Sequence, residues 1–294
     1  MMTSKFTKLK RFIYQPPKKL AQTAYRKVTG QYPLQDFDDS HPCVFVLSTG
    51  RVGTQTLAAL FDLSINVITY HEPQPKLYGL SKLAYSHQNS SVVQEILQEA
   101  FWTTRNPLLC HSLDQRKGYI ETSPQVTFLA LVICQVVPKA KFVHMVRDPR
   151  LVVRSGMRRK WYDGHQMDGT RITPMPDAKY HPQWQQLVPF QKNLWLWNET
   201  NRWILDFLTI VPSHKQLLIH AEDVFSGSSD VLERLFAFIS SPLPPRRKID
   251  RILGKRLNAQ RKGNFPKPEQ WDSRSMEMLV NMCGDTANQL GYAI

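Results

Sequence analysis

Cysteine is scarce in this chain. The 294 residues include four cysteines, which lie far apart, form no C-x-x-C pair and have no histidines nearby at zinc-ligand spacing. This pattern excludes a small disulfide scaffold and argues against a structural zinc site. We expect free thiols and a reducing compartment, with Cys43 and Cys134 in the core because both lie in apolar runs.

Long hydrophobic runs are also absent. The longest apolar stretch, Val126–Val137, is interrupted by Thr127 and Gln135 and is too short to cross a bilayer. The first residues are charged but contain no apolar segment typical of a signal peptide. From these features we expect a cytoplasmic protein without a membrane anchor.

Acidic residues are few, and residues 1–30 contain none. The formal net charge is +14, and eight of those charges belong to this N-terminal segment. We therefore divide the chain into a basic arm, residues 1–41, and a domain, residues 42–294. The arm is a candidate for peripheral contact with an anionic membrane surface. The domain's charge suits an anionic ligand, but no nucleic-acid recognition motif is present and we expect no nucleic-acid partner.

The order of apolar segments predicts an α/β fold. With 42% hydrophobic residues the chain can bury a substantial core. Short β-branched runs typical of buried strands alternate with helical patterns. Strands are predicted at Cys43–Leu47, Ile65–Tyr70, Tyr119–Glu121, Lys141–Val146 and Gln216–His220. Helices are predicted at 54–62, 92–101, 124–136, 151–159, 189–210, 230–239 and 271–290. We expect a single domain with a central, mostly parallel sheet flanked by helices.

A glycine-containing turn follows the first predicted strand and precedes a helix. Backbone N–H groups in such a turn converge on an anion, and the helix N-terminus adds partial positive charge. Lysine does not follow Gly53, so the turn lacks the Walker A pattern of ordinary ATPases. The candidate binding residues are Thr49, Gly50, Arg51, Val52, Gly53, Thr54, Gln55 and Thr56.

A second candidate anion site follows the strand Lys141–Val146. Arg147 stands at the carboxyl end of that strand, where open α/β sheets bind ligands. Ser155 lies eight residues later, two turns along the next predicted helix. A guanidinium fork and a hydroxyl group can hold one phosphate from two sides.

These two motifs, in this order and about a hundred residues apart, resemble the sulfotransferase family. The first resembles the family's 5′-phosphosulfate loop, with Arg51 where a Lys or Arg is usual, and the second resembles its 3′-phosphate site. Leu217–Val224 resembles a late strand that ends in an E-D-V turn. The segment ending in Arg261, Lys262 and Gly263 resembles the R-K-G segment that closes over the 3′-phosphate. The resemblance covers residues 43–291.

The resemblance implies a P-loop NTPase-like fold and sulfuryl transfer from 3′-phosphoadenosine-5′-phosphosulfate (PAPS) to a hydroxyl acceptor, with PAP as product and no metal required. In-line displacement on sulfur needs anion-stabilising donors and a base for the hydroxyl proton. Arg51 would neutralise charge on the bridging oxygen. We expect the two anion sites to be separate and to hold opposite ends of one nucleotide.

The base is less well defined by the sequence. Glu72 follows the second strand, where carbohydrate-type and bacterial relatives carry a catalytic Glu, and is our first candidate; His71 is the second. Glu121 is a further candidate base or substrate contact, although Thr122 stands where some heparan-type relatives have a functional Lys. Trp161 and Tyr162 are candidate acceptor contacts in an aromatic-rich segment.

Alternative functions remain open at this point. A P-loop-type kinase or nucleotide hydrolase would need a loop lysine and a Mg²⁺-holding aspartate, and neither is evident. A non-catalytic nucleotide-binding relative is a further alternative if Glu72 is not positioned for catalysis. The acceptor can be a small molecule or a glycan, free or lipid-linked.

Overall fold

A five-stranded parallel sheet forms the centre of the protein in a computed structural model that describes residues 36–255 and 263–294. The strand order is β2-β3-β1-β4-β5 and every neighbouring pair is parallel. The strands are β1 Cys43–Leu47, β2 Val67–Tyr70, β3 Gly118–Glu121, β4 Lys141–Val146 and β5 Gln216–His220. The predicted single α/β domain with a parallel sheet is confirmed, and each strand lies within two residues of its predicted position.

The burial of the neighbouring strands β1 and β4 explains why their positions are predictable from the sequence. All five residues of β1 are fully buried, and β4 is buried from Phe142 onward. Strands that are covered on both faces have continuous apolar sequences rather than alternating apolar and polar residues. Leu47 pairs with His144, so β1 and β4 end close together at the same edge of the sheet.

Helices cover both faces of the sheet. In chain order they are α1 Thr54–Phe61, α2 Tyr78–Ser86, α3 Ser91–Asp114, α4 Ala130–Val136, α5 Pro149–Met157, α6 Pro189–Leu208, α7 Ala221–Ser226, α8 Ser229–Phe238, α9 Arg246–Leu253 and α10 Ser273–Gln289. A 3₁₀ turn, Pro124–Leu129, precedes α4 where a single helix was predicted. The helices α2, α7 and α9 were not predicted.

The helix α3 is the main departure from the predicted elements. It continues to Asp114, although the sequence analysis ended it at Phe101. Pro107 lies inside it, and proline usually ends or kinks a helix. The burial of Leu97, Phe101, Arg105 and Leu109 along one side shows that packing against the sheet outweighs this local cost.

The core extends beyond the predicted domain boundary. Phe37 is fully buried, so the folded part of the chain begins before residue 42, and the basic arm 1–41 otherwise lies almost entirely outside the described residues. All four cysteines are free thiols; Cys43 is buried as predicted, whereas Cys134 is only half-buried. Within the described part of the chain, no helix has the length and apolarity required to span a membrane.

Candidate active site

A cavity of about 780 Å³ opens at the carboxyl edge of the sheet. Its walls include segments that follow all five strands: the turn after β1, His71 and Glu72 after β2, the 3₁₀ turn after β3, α5 after β4, and Phe225 on α7 after β5. Strands β2 and β3 lie on one side of β1, and β4 and β5 lie on the other, so the order of the strands changes direction at β1. Open α/β sheets bind ligands at such a switch point.

The turn after β1 is held in an unusual backbone conformation. Gly50, Arg51 and Gly53 have φ angles of 75°, 61° and 106°, all in the left-handed region. Glycine adopts this region without cost, but Arg51 is strained there. A Cβ atom on Gly53 would lie 2.3 Å from the Phe225 ring, so this position requires glycine on two counts.

The start of the same turn is fixed by a buried threonine. The Ser48 N–H donates to Thr127 Oγ1 at 3.0 Å, and the Thr127 hydroxyl donates back to the Ser48 carbonyl at 3.0 Å. Thr54 and Thr56 on α1 are buried, whereas Gln55 is exposed, and all three line the cavity. The N-terminal end of α1 therefore faces the cavity, as the turn's sequence predicted.

The second motif is positioned by contacts to its backbone. Asp148 caps α5 by accepting the Arg150 N–H at 2.7 Å. The Asp148 N–H donates to Glu222 at 3.1 Å, and the Trp197 indole donates to the Arg147 carbonyl at 2.9 Å. The E-D-V turn identified in the sequence thus supports the strand end that carries Arg147.

The two motifs are in direct contact. Arg51 Nε donates to Ser155 Oγ at 3.1 Å, and Arg147 Nη1 donates to the Arg51 carbonyl at 3.2 Å. The Arg51 side chain spans from the turn to α5, so the two candidate anion sites adjoin one another in the same cavity.

Positive charge dominates the cavity wall. Among the described residues that line it, eight are basic and Glu72 is the sole acid. The arginines are Arg51, Arg147, Arg154, Arg158, Arg159 and Arg171, and the lysines are Lys82 and Lys255. Such a one-sided wall concentrates anions.

The positive charges in the cavity wall repel one another. Burial, followed by the charges of Arg159 and Arg147, lowers the pKa of Arg51 to about 10, while Glu72 opposes the shift. Burial also lowers the pKa of Arg147, whose Nε atom is buried without a hydrogen-bond partner. A bound anion would relieve both costs.

His71 and Glu72 lie together on the cavity wall. His71 Nδ1 lies 3.1 Å from the Thr122 carbonyl and 2.9 Å from its hydroxyl. Because a carbonyl only accepts, Nδ1 carries the proton, and Nε2 of the neutral ring keeps its lone pair. Glu72 has a φ of 46° and accepts from Lys76 Nζ at 2.9 Å. Glu72, like Arg51, is therefore a strained non-glycine residue at this cavity.

Glu121 has a structural role, contrary to the expectation that it contacts substrate. It is fully buried and does not line the cavity. Both of its oxygens accept from Arg105, at 2.8 and 2.9 Å, and Tyr119 donates to Oε2 at 2.6 Å. With its oxygens engaged and no solvent access, this carboxylate cannot reach an acceptor.

Of the two aromatic candidates, Trp161 and Tyr162, only the first lines the cavity. Trp161 lines the cavity, with the Arg171 guanidinium 4.0 Å above its ring. Tyr162 does not line it: its hydroxyl donates to the Ile172 carbonyl and its ring packs on Trp184. Tyr162 thus braces the segment rather than facing a ligand, which corrects the prediction for this residue.

The predicted R-K-G segment is only partly described. Arg261 and Lys262 lie outside the described residues. Gly263 has a φ of 81°, and its carbonyl accepts from Arg158 Nε at 2.9 Å. Arg154 Nε donates to the next carbonyls, of Phe265 and Pro266. Gly263 is consequently attached to α5 beside the cavity, although it does not line it.

Three residues of the cavity wall, Leu151, Arg154 and Arg158, were not predicted. Together with the predicted Ser155 they line the cavity, and their spacing of three, one and three residues places all four on one face of a helix. That signal was present in the predicted helix 151–159. Val52, in contrast, is a predicted binding residue whose side chain is buried in the core and does not line the cavity.

Comparison with known families identifies the family and the fold of the chain. A sequence model described as "Sulfotransferase family" matches residues 42–245. The chain belongs to the sulfotransferase family. The resemblance seen in the separate motifs is therefore confirmed, and so is the α/β fold that it implied. Proteins of this family transfer sulfuryl groups.

Solved structures share the fold at low sequence identity. The sulfotransferase domain from the curacin biosynthetic pathway is 16% identical, with a TM-score of 0.53 over 86% of this sulfotransferase and 99% of that domain. The sulfotransferase domain of the Synechococcus PCC 7002 olefin synthase is 17% identical, with a TM-score of 0.50 over 90% and 99%. A sulfotransferase from Mycobacterium avium is 11% identical, with a TM-score of 0.50 over 92% and 82%. No curated protein sequence matches the chain significantly.

Proposed function

We propose that this protein transfers the sulfuryl group of PAPS to a hydroxyl group of a small-molecule or glycan acceptor. The observation that carries the proposal is the contact of Arg51 Nε with Ser155 Oγ at 3.1 Å. It joins the two anion motifs, far apart in sequence, into one strongly basic surface. The family membership of the chain agrees with this assignment.

The residues present fit a nucleotide with phosphate groups at both ends. Arg147 Nε is a buried donor without a partner, and the turn around Gly53 exposes backbone and threonine donors. Thr49, Gly50 and Arg51 with the start of α1 would hold the phosphosulfate end. Arg147, Ser155 and the segment at Gly263 would hold the 3′-phosphate end. When bound, PAPS supplies an activated sulfuryl group.

The protein's own groups would then perform three tasks. Arg51 would stabilise negative charge on the leaving oxygen, since its guanidinium is desolvated and lies among other cations. Glu72 would accept the proton of the acceptor hydroxyl. His71 is the second candidate for this step, because its fixed Nδ1–H leaves Nε2 as an acceptor.

Ligand binding separates this proposal from a kinase or hydrolase. PAP should raise the melting temperature of the protein by binding the folded state, whereas ATP with Mg²⁺ should have little effect. Arg147→Gln should weaken the PAP effect, and the exposed Arg234→Gln should leave it unchanged. A larger shift with ATP and Mg²⁺ than with PAP would contradict the proposal.

Substitution of the base separates catalysis from nucleotide binding. Glu72→Gln should retain the PAP-induced shift and lose roughly a hundredfold or more in kcat, the typical contribution of a general base. His71→Gln is the matched comparison. If Glu72→Gln stays active while His71→Gln is inactive, the imidazole is the base; if both stay active, neither is.

The setting of the reaction follows the sequence-based expectations. We place the enzyme in the cytoplasm, with the arm 1–41 as a candidate contact to anionic membrane surfaces. The charges and prolines of the arm support this, and co-sedimentation with phosphatidylserine vesicles, with and without the arm, tests it.

A further inference from the structure

The cavity holds more positive charge than the nucleotide requires. Eight basic residues and one acid line its described part. PAPS carries roughly four negative charges, since a phosphate monoester holds about two at pH 7. Lys82, Arg159 and Arg171 belong to neither anion motif; they lie on the wall formed by the residues after α5, by residues 161–172 and by α2.

We name this surface the acceptor wall and define it by Lys82, Arg159, Trp161, His165 and Arg171. All five residues line the cavity. Lys82 Nζ donates to the Gly169 carbonyl at 2.9 Å, which attaches α2 to the 161–172 segment. The wall shares the cavity with Glu72, whose charge acts on both Arg51 and Arg159.

The acceptor wall is held in place before any ligand arrives. One oxygen of Asp168 accepts from Arg171 Nε at 2.9 Å and from the Tyr162 N–H at 3.0 Å. The other oxygen accepts the His165 N–H at 2.8 Å. Arg171 is thereby fixed over Trp161, with its guanidinium 4.0 Å from the ring centroid. A preorganised guanidinium loses little freedom when it binds an anion.

The acid within this segment does not neutralise the wall. Asp168 forms an ion pair with Arg171, and two further cations, Lys82 and Arg159, line the same part of the cavity. Burial and then the charges of Arg158 and Arg171 lower the pKa of Arg159. His165 Nδ1 accepts the Met167 N–H at 3.0 Å, so the neutral ring carries its proton on Nε2 and adds a donor. The wall therefore offers donors and positive charge.

We propose that the acceptor itself is anionic: a hydroxyl compound carrying a phosphate or carboxylate group that Arg159 and Arg171 bind. This inference rests on the proposed sulfuryl transfer and names the substrate class for that site. The anionic group on the wall would orient the acceptor hydroxyl toward Glu72 and the sulfuryl donor. Neutral alcohols lack this anchor and would be poorer substrates.

Matched pairs of acceptors test the proposal. Transfer of labelled sulfate from PAPS is measured for glucose, glucose 6-phosphate and glucuronic acid, and for glycerol and glycerol 1-phosphate, at constant ionic strength. The anionic members should be labelled at least about tenfold faster, which corresponds to one charge-assisted hydrogen bond. The phosphate and carboxylate members show which group the wall prefers. Equal labelling of neutral and anionic members, or labelling of none, would overturn the proposal.

Variants assign the effect to the wall. Arg159→Gln and Arg171→Gln should raise the KM for the anionic acceptor about tenfold or more, with the KM for PAPS unchanged. Arg171→Lys, which keeps the charge but loses the fork, should be intermediate. Arg234→Gln, at an exposed position of α8, is the control. An equal rise in KM for neutral and anionic acceptors would indicate a structural role only.

The PAP-induced shift in melting temperature distinguishes this inference from the proposed function. If the protein binds PAP but shows no preference for anionic acceptors, the proposed function stands and the inference about the acceptor is wrong. If the protein does not respond to PAP, the proposed function itself is wrong. Unchanged PAP binding in the two glutamine variants also shows that they are folded.

Discussion

At the scale of single residues, Gly53 is a position where backbone conformation and packing both restrict substitution. Its φ of 106° lies in the left-handed region, and the Phe225 ring occupies the space of a side chain. The same ring lies 5.3 Å from the Arg147 guanidinium. One glycine thus allows the first anion motif, an aromatic ring and the second motif to meet.

Gly53→Ala should lower the free energy of unfolding by about 1–3 kcal/mol and weaken PAP binding, because alanine is strained at this φ and the turn or the Phe225 ring must shift. Gly79→Ala is the control: no atom lies within 4 Å of its Cβ position, and it lies within the helix α2. It should be neutral or stabilise by about 0.5–1 kcal/mol. Urea denaturation and PAP titration measure both; normal stability and binding of Gly53→Ala would refute the argument.

A buried histidine within strand β4 gives a prediction for acid stability. His144 is fully buried and hydrogen-bonds to Asn201 at 2.9 Å, and burial lowers its pKa from 6.5 to about 4. The unfolded chain takes up this proton first, so stability falls as the pH decreases from 6.5 to 4. The loss attributable to this group is at most about 3 kcal/mol.

His144→Gln should flatten the dependence of the unfolding free energy on pH in that interval, whatever its effect at neutral pH. His87→Gln, at an exposed position, is the control and should keep the slope of the wild type. Urea titrations at several pH values provide the measurement. An unchanged slope in His144→Gln would show that other groups cause the acid sensitivity.

Some residues of the candidate site have a local sequence signal, and others do not. The loop residues and Arg147 with Ser155 were found because strand ends and glycine turns have local signals. Arg171 joins the cavity through its stacking on Trp161, a contact that no spacing in the sequence encodes. Glu121 was misassigned since its partner, Arg105, lies on a helix that the prediction ended too early.

At the scale of elements, one buried ion pair links α3, β3 and the segment that carries Glu72. Arg105 donates to Glu121 through two nitrogens, and its third nitrogen, Nη1, donates to the Pro75 carbonyl at 3.1 Å. Pro75 lies three residues after Glu72. The pair therefore supports the backbone that presents the proposed base.

Arg105→Met should lower the free energy of unfolding by about 3–5 kcal/mol, since it leaves a charged carboxylate buried without a partner. The double variant Arg105→Met/Glu121→Leu should recover much of this stability. It should still have reduced kcat, because the Pro75 carbonyl has lost its donor. Arg234→Gln, in an exposed ion pair, should change stability by less than about 1 kcal/mol. A double variant no more stable than Arg105→Met would contradict this account.

The same scale explains which elements the sequence predicts. The strands β1, β3 and β4 are buried runs between turn residues, and the edge strands β2 and β5 are only partly buried but contain short apolar segments, so all five positions follow from the sequence pattern. The helix α9 buries only Ile249, and α7 spans six residues, so neither has a strong apolar pattern. The continuation of α3 past Pro107 depends on tertiary packing, which local propensity does not contain.

At the scale of the whole molecule, the net charge of +14 and the basic cavity act together on anionic ligands. The field of such a surface raises the rate of encounter with a nucleotide, and salt screens it. The Debye length is about 10 Å at 0.1 M salt, so a nucleotide farther than this from the cavity is largely screened from its charges.

The association rate of PAP, measured by stopped flow, should fall about tenfold or more as NaCl increases from roughly 0.02 to 0.3 M. Sucrose at matched viscosity, which adds no ions, controls for slower diffusion. The dissociation rate should change less, because close contacts are screened weakly. An association rate independent of NaCl would show that the basic wall does not steer the ligand.

The crowding of like charges around Arg51 has a consequence for the lifetime of the protein. Without an anion, the folded state carries a repulsion that the unfolded chain avoids, so the empty enzyme opens more often. Proteases degrade opened chains, and binding of the proposed nucleotide would stabilise the closed, folded state. The amount of this enzyme in a growing culture should therefore track the supply of its sulfate donor, even at constant synthesis.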